Sequence, residues 1–441
     1  MTVERPAIPA DPGDAVPGWK ETLVGMPRRV WRSIVRSGPI PRTELEKAQA
    51  VADNFFFHIH SAKVRERTLR WKTTLGLGLL TMNVFLVLCV TGVLLMFYYV
   101  PSATEAYARM QDLHGAVFFG RFLRNVHRWA AEAMVVLAVA HMARVFLTGS
   151  HKRPREFNWV VGVVLLLLTL FMSFTGYLLP WDQLAYWAIT VGTAIARYAP
   201  VAGDEIRYFL LGGGDVGGEA LLRFYVLHVA VLPTVMFVLI GLHFWRVRKD
   251  GGLARPTSPD ASRERTAVAP DEQPPFERFP TVAGKTYGLM AVVPLKTHNS
   301  DGDVEKQVPS WPSALGRELL LLVVTILLLS LAAIFWNAPL EGPADASHPP
   351  NPAKAPWYFL GLQEMVSYDA FWGGIGIPTV LVLLALLAPY LERRPGGEGV
   401  WFHPKRSAVN WLFLSLIGTL GVLTLIGTFF RGANWSFVTP W

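Results

Sequence analysis

Four histidines stand inside apolar stretches of this 441-residue chain: His127 and His141, 14 positions apart, and His228 and His243, 15 positions apart. At about 100° per residue, 14 steps bring a helix back to within about 40° of its starting face, and 15 overshoot by about 60°. Read as helices, the two stretches each present two imidazoles to one neighbour, roughly 21 to 23 Å apart along the axis at 1.5 Å per residue. If both helices run in the same direction, His127 lies level with His228 and His141 with His243. A single imidazole in such a place can simply hydrogen-bond a neighbouring helix. Four in matched pairs at two depths make a ligand set for two bis-histidine haems, because neutral imidazole is a common axial ligand of haem iron.

Glycines repeat the spacing. Gly78 and Gly92 are 14 apart, as are Gly162 and Gly176, in stretches without these histidines. A residue without a Cβ lets a flat macrocycle approach the backbone, so the four are expected to wall the porphyrins; close helix packing by small residues is the alternative. Haem propionates need cations. Arg124 and Arg144, each three residues from a ligand, are the better candidates, with Arg128 either a third or an interface anchor.

The elements that must position these groups are membrane helices. Hydrophobic residues make up 52% of the chain and charged ones only 17%, against about 25% charged in soluble domains. Residues 73–104, 159–181, 224–245, 319–340, 370–391 and 407–430 carry no charge, and 125–148 carries only Glu132 and Arg144 besides Arg128. A bilayer core needs roughly 20 such residues, so the sequence predicts an all-α integral membrane protein of seven spans. Residues 1–72 hold 13 Lys or Arg, and the stretches following spans two, four and six are also basic. By the positive-inside rule the N-terminus is cytoplasmic and the C-terminus outside. The net charge of +8 is thereby read as orientation in a bilayer, not as nucleic-acid binding. The organisation expected is a cytoplasmic extension (1–72) with a basic amphipathic helix near 20–36, a four-span di-haem domain (73–249), a polar linker (250–313) and a three-span domain (314–441). The single cysteine, Cys89, rules out an internal disulfide framework, a CxxCH haem attachment and a cysteine-held iron–sulfur cluster in this chain.

Arg124-Asn125-Val126-His127-Arg128-Trp129, the run Thr175-Gly176-Tyr177-Leu178-Leu179-Pro180-Trp181-Asp182-Gln183, and Arg223-Phe224-Tyr225-Val226-Leu227-His228 resemble cytochrome b, the membrane subunit of bc-type quinol:cytochrome c oxidoreductases. The 15-position gap and the seven spans are more similar to the plastoquinol–plastocyanin form, with its four-span and three-span parts fused. The resemblance covers residues 70–250 closely and 314–430 more loosely. It implies two non-covalent b haems and quinol oxidation at an outer pocket. One electron would pass to a Rieske iron–sulfur protein, the other across the membrane to a quinone at the inner side. It also implies a cytochrome c subunit or soluble acceptor, a homodimer, and a place in a prokaryotic cytoplasmic membrane, contributing to proton-motive force.

Three departures stand out. Where the family has Pro-Glu-Trp-Tyr, this chain has Ala355-Pro356-Trp357-Tyr358. Pro356 cannot accept a proton; Glu364 could, if the following helix turns it inward, though it could equally be solvated. Pro356, Trp357 and Tyr358 are the expected quinone-pocket residues, with Tyr177 and Tyr358 as its reactive groups. Gly76 stands where the plastoquinol form attaches an extra haem through cysteine, so a covalent third haem is not expected. Asp53 and Arg248 are candidates for the inner quinone pocket. His58 and His60, in an N-terminal stretch without a secure counterpart, read as interfacial rather than metal-binding. The competing readings are a di-haem anchor of a quinone-reactive dehydrogenase and a transporter whose histidines relay protons.

Overall fold

The structure, a computed structural model, describes residues 42–43, 46–47, 63–250, 252–253, 307–392, 397–433 and 436–438. Asp53, His58, His60, the helix expected near 20–36 and most of the expected linker lie outside the described residues. The chain divides into two units, Met1–Val64 with Pro309–Ser313, and Arg65–Val308 with Ala314–Trp441. In the first, Thr43 and Glu46 form a capping box, the Thr43 amide donating to Glu46 Oε2 (3.0 Å) and the Glu46 amide to Thr43 Oγ1 (3.2 Å).

The second unit is an all-α membrane fold. Its helices are α1 (Leu77–Met96), α2 (Ala106–Gly115), α3 (Gly120–Leu147), α4 (Glu156–Tyr177), α5 (Gln183–Ala196), α6 (Gly203–Leu211) and α7 (Gly218–Val226). They continue with α8 (Leu232–Lys249), α9 (Leu315–Phe335), α10 (Trp357–Tyr368), α11 (Ile377–Leu391) and α12 (Ser407–Phe429). Seven helical segments are long and apolar enough to cross a membrane: α1, α3, α4, the α7–α8 run, and those containing α9, α11 and α12. Large apolar side chains such as Phe237, Leu320 and Leu412 are more than 60% exposed, which lipid rather than water can accommodate.

Helices α1, α3, α4 and α7–α8 form the bundle that holds the histidines, and α9 packs on α1 and α3 while α11 packs on α4. Asn125 ties α3 to the end of α9. Its Nδ2 donates to the Ala333 carbonyl (2.9 Å), and its Oδ1 accepts from the Ala338 amide (2.8 Å). Trp159 on α4 donates to the Ala385 carbonyl of α11 (2.6 Å). Each bond satisfies a polar group that has no water to turn to within a bilayer. Asp182 caps α5 through the Ala185 amide (2.9 Å) and also accepts from the Glu341 amide (3.1 Å), fastening the loop after α9 to the bundle.

The α7–α8 run is not uniformly α-helical. Residues Leu227–Val231 form a π-turn, in which the Leu232 amide donates to the Leu227 carbonyl five residues back. Pro233 follows at once. Having no N–H and crowding the preceding turn, it cannot join an ordinary α ladder there. The same device recurs at Trp372–Gly376, just ahead of Pro378.

Candidate haem sites

The π-turn sets the register of the paired imidazoles. It takes up one extra residue between His228 and His243, so 15 positions there turn through about the angle of 14 in α3. The 60° overshoot expected from the sequence is thereby removed. At one level the ring centroids of His127 and His228 are 6.3 Å apart; at the other, those of His141 and His243 are 6.4 Å apart.

That separation suits a shared metal. Allowing about 1 Å from ring centre to nitrogen and about 2 Å from imidazole nitrogen to metal, two rings binding one ion have centroids about 6 Å apart. The proton positions suit it as well. Thr91 donates its hydroxyl to the Val87 carbonyl (2.7 Å), leaving its oxygen to accept from His127 Nδ1 (2.8 Å). His228 Nδ1 lies 3.1 Å from the Met172 carbonyl, which can only accept, and 3.1 Å from Thr175 Oγ1. Both rings therefore carry their proton on Nδ1 and keep a bare lone pair on Nε2 for a ligand bond.

Every ring is backed by a glycine. A Cβ at Gly92 would lie 3.3 Å from His127 Cε1, and one at Gly176 only 2.7 Å from His228 Cε1. At the second level, a Cβ at Gly78 would lie 3.1 Å from His141 Cε1 and one at Gly162 3.7 Å from His243 Cε1. The nearest atoms to these glycines belong to the imidazoles, so the missing side chains leave room for the rings.

A cavity of about 310 Å³ surrounds the first pair, bordered by Tyr177, Ser173, Arg124 and Arg128. One of about 1100 Å³ surrounds the second, bordered by Arg144, Arg155 and Arg317. Arg124 borders its cavity but spends its guanidinium on the carbonyls of Ala338 (2.9 Å) and Pro339 (2.5 Å). Arg144 does the same with the Thr73 carbonyl. Arg128 pairs with Glu132 (2.7 Å), while its buried Nε has no hydrogen-bond partner. Arg155, which the sequence reading did not select, donates to the Gly252 carbonyl from the wall of the larger cavity. Arg248 is exposed and does not border that cavity.

Gly76, at φ 64° between a short helical turn and α1, is closed in by Trp71 and Leu321; a Cβ there would lie 3.1 and 3.2 Å from their side chains. A cysteine would meet both crowding and the left-handed backbone. Cys89 lies half-buried deeper in α1 and borders the first cavity.

Pro356 is buried just ahead of α10, and Tyr358 accepts a hydrogen bond from Ser173 Oγ (2.6 Å), which brings it beside the first cavity. Burial raises the Tyr358 hydroxyl to about 12. Trp357 is partly exposed and donates to Glu132 Oε2 (2.7 Å). Glu364 is buried on α10 as an inward-turned residue. Arg431 grips both its oxygens, from Nε (2.7 Å) and Nη2 (2.6 Å). Burial pushes this carboxyl up, but Arg431, with help from Tyr368, outweighs it and holds the group below the ordinary glutamate value. Neither Glu132 nor Arg431 was singled out from the sequence, because the contacts that define them span 225 and 67 residues of chain.

Residues 66–251 match the family model described as cytochrome b/b6/petB. Cytochrome b6 of Heliomicrobium gestii is 45% identical over 175 residues, which are 40% of this chain and 82% of that protein. The corresponding protein of Heliobacterium mobile is 47% identical over 175 residues, with the same coverage, and that of Synechocystis is 45% identical over 79% of its length and 40% of this chain. Among solved structures, a chain of a hyperthermophilic respiratory complex III shares the fold, with a TM-score of 0.64 and 21% identity over 92% of this chain and 91% of that one. With its paired histidines, matching glycines and seven spans, this chain belongs to the cytochrome b/b6 family.

Proposed function

We propose that this chain is the haem-carrying subunit of a quinol-oxidising, Rieske-type complex that moves electrons across the bilayer and contributes to proton-motive force. The observation that carries the reading is the stacking of two imidazole pairs, 6.3 and 6.4 Å between centroids, inside one membrane bundle. His127 with His228, and His141 with His243, would each hold one b haem, non-covalently. Haem iron at the two levels supplies one-electron carriers.

The protein's own contribution is to fix and insulate these carriers. Thr91, Thr175 and the Met172 carbonyl hold the ring tautomers, and the four glycines let α1 and α4 close behind the rings. Arg124, Arg128 and Arg144 place positive charge at the cavities, where haem carboxylates would be offset. In this reading the quinol site is the cleft of Tyr177, Pro356, Trp357 and Tyr358 on the outer side. Glu364, clamped by Arg431, steadies the helix that presents them. A quinone site would lie at the other level, on the cytoplasmic side; Arg248, exposed and away from the cavity there, does not line it. A Rieske iron–sulfur protein and a cytochrome c acceptor are the partners, in a homodimeric assembly.

Purified protein tests this directly. Reduced spectra should show b-haem bands, and His228→Ala should remove one haem while leaving the other. A colourless preparation would contradict the reading in favour of a histidine proton relay. Haem without Rieske-dependent quinol oxidation would favour the anchor of a quinone-reactive dehydrogenase.

A further inference from the structure

Glu132 stands near the middle of α3, twelve residues from Gly120 and fifteen from Leu147. Among the described residues, the other carboxylates within spans lie close to helix starts: Glu156, Glu219 and Glu318. An acidic side chain at such depth is costly and marks a function. Its contacts say which one. Oε1 takes a 2.7 Å ion pair from Arg128 Nη2, and Oε2 accepts at 2.7 Å from the indole of Trp357. The chain thus brings a carboxylate from span two to the very motif, Ala355 to Tyr358, in which proline occupies the acidic position.

The surroundings favour this group over its neighbours. Glu364 has both oxygens held by one cation, Arg431, whereas Glu132 shares only Oε1 with a cation and meets the neutral indole of Trp357 with Oε2. The hydroxyl of Tyr358, which feels both Arg128 and Glu132, is raised by burial to about 12 and is no base at neutral pH. Tyr177, the other hydroxyl facing the cleft, is buried. Arg128 and Trp357 fix the Glu132 carboxylate against the motif, where a general base must stand to meet a substrate hydroxyl.

We propose that Glu132 accepts one of the two protons released when quinol is oxidised at this cleft. The inference rests on the proposed function. The quinol gives up two electrons, one at a time, to the one-electron carriers of that reading, an iron–sulfur protein and the first haem level. One hydroxyl O–H breaks as the Glu132 carboxylate gains an O–H bond, and the proton of the second hydroxyl leaves to water at the outer face. The resulting neutral carboxyl relaxes its pair with Arg128 and passes the proton on to the aqueous face.

The test uses the full complex in native membranes. E132Q should slow quinol oxidation at least tenfold with both b-haem bands at full amplitude, and should remove the acid limb of the rate–pH profile. E132D should recover most of the rate. Infrared difference spectra on quinol addition should show a carboxyl protonation band that E132Q lacks. An unchanged rate in E132Q, or an unchanged band, overturns the proposal. If E132Q fails to assemble its haems, the E132D profile decides: an acid limb unmoved from wild type overturns it, a displaced one supports it. Absence of b haem or of quinol oxidation in the wild-type complex would overturn the proposed function and this inference with it, and is distinguishable because no variant is needed to see it.

Discussion

A glycine backs each of the four paired imidazoles, and at three of them, Gly78, Gly92 and Gly176, a Cβ would press on the ring. The clearances are graded, from 2.7 Å at Gly176 to 3.7 Å at Gly162. That grading makes a prediction, since overpacking a well-filled site costs about 1–3 kcal/mol. Gly176→Ala should displace His228, broadening or removing one haem signal and lowering thermal stability by that order. Gly162→Ala, where the contact is ordinary, should leave both signals intact. Absorbance spectra and melting curves of the two variants check it; equal effects would mean that the glycines serve helix packing alone. The histidines and glycines were legible from type and spacing. Glu132 and Arg431 were not, because each is defined by a partner that no local pattern reveals.

Register is settled at the level of the element. In α3 the ligand spacing is 14 and needs no correction, whereas in α7–α8 it is 15 and a π-turn absorbs the difference. The cue was present in the sequence as Pro233, five residues after His228, but a proline shows only that the ladder must be disturbed, not that it widens by one residue. A single alanine inserted after Leu239 would turn His243 about 100° about the axis of α8. Upstream of it, His228 keeps its place. One haem signal should be lost and the other retained, as read from reduced-minus-oxidised spectra; retention of both would show that the π-turn does not set the pairing. Six of the seven spans were likewise readable from charge-free runs and the second from a stretch with only three charges, while the short helices α5 and α6 were not, lying in connections where periodicity is brief.

For the molecule as a whole, the four-span and three-span parts are joined by a buried ionic cluster. Glu392, after α11, receives Arg406 through Nε (2.5 Å) and Nη2 (2.9 Å), with Lys152 at 3.4 Å and His151 Nε2 at 3.2 Å. Arg406 also donates to the Phe146 carbonyl (2.8 Å), so the end of α3 and the start of α12 share one cation. Burial of the Glu392 carboxyl opposes ionisation, but the bonds from Arg406 and the imidazole of His151 close by win and hold it far below the usual range. Such a group stabilises the fold above the unfolded glutamate pKa of about 4.3, and that contribution is lost progressively as pH falls from there through its much lower folded value. His151 is pushed down by burial, which outweighs Glu392 beside it. It stays neutral in the fold while the unfolded chain takes up a proton below about pH 6.5, so it too loses stability on acidification. The melting temperature in detergent should therefore fall from about pH 6.5 downward, and His151→Gln should flatten the upper part of that fall. Glu392→Gln should cost about 3–5 kcal/mol at neutral pH, because it leaves Arg406 buried without its counter-charge. A melting temperature independent of pH across this window would contradict the assignment.

The central claim, that four imidazoles hold two haems at two levels of one bundle, is tested most directly by low-temperature electron paramagnetic resonance of the oxidised protein with a haem count per chain. The proposed ligation predicts two haems per chain, both low-spin with bis-imidazole signals, one signal vanishing in His228→Ala and the other in His243→Ala. A single haem, or axial ligands other than these histidines, would contradict it.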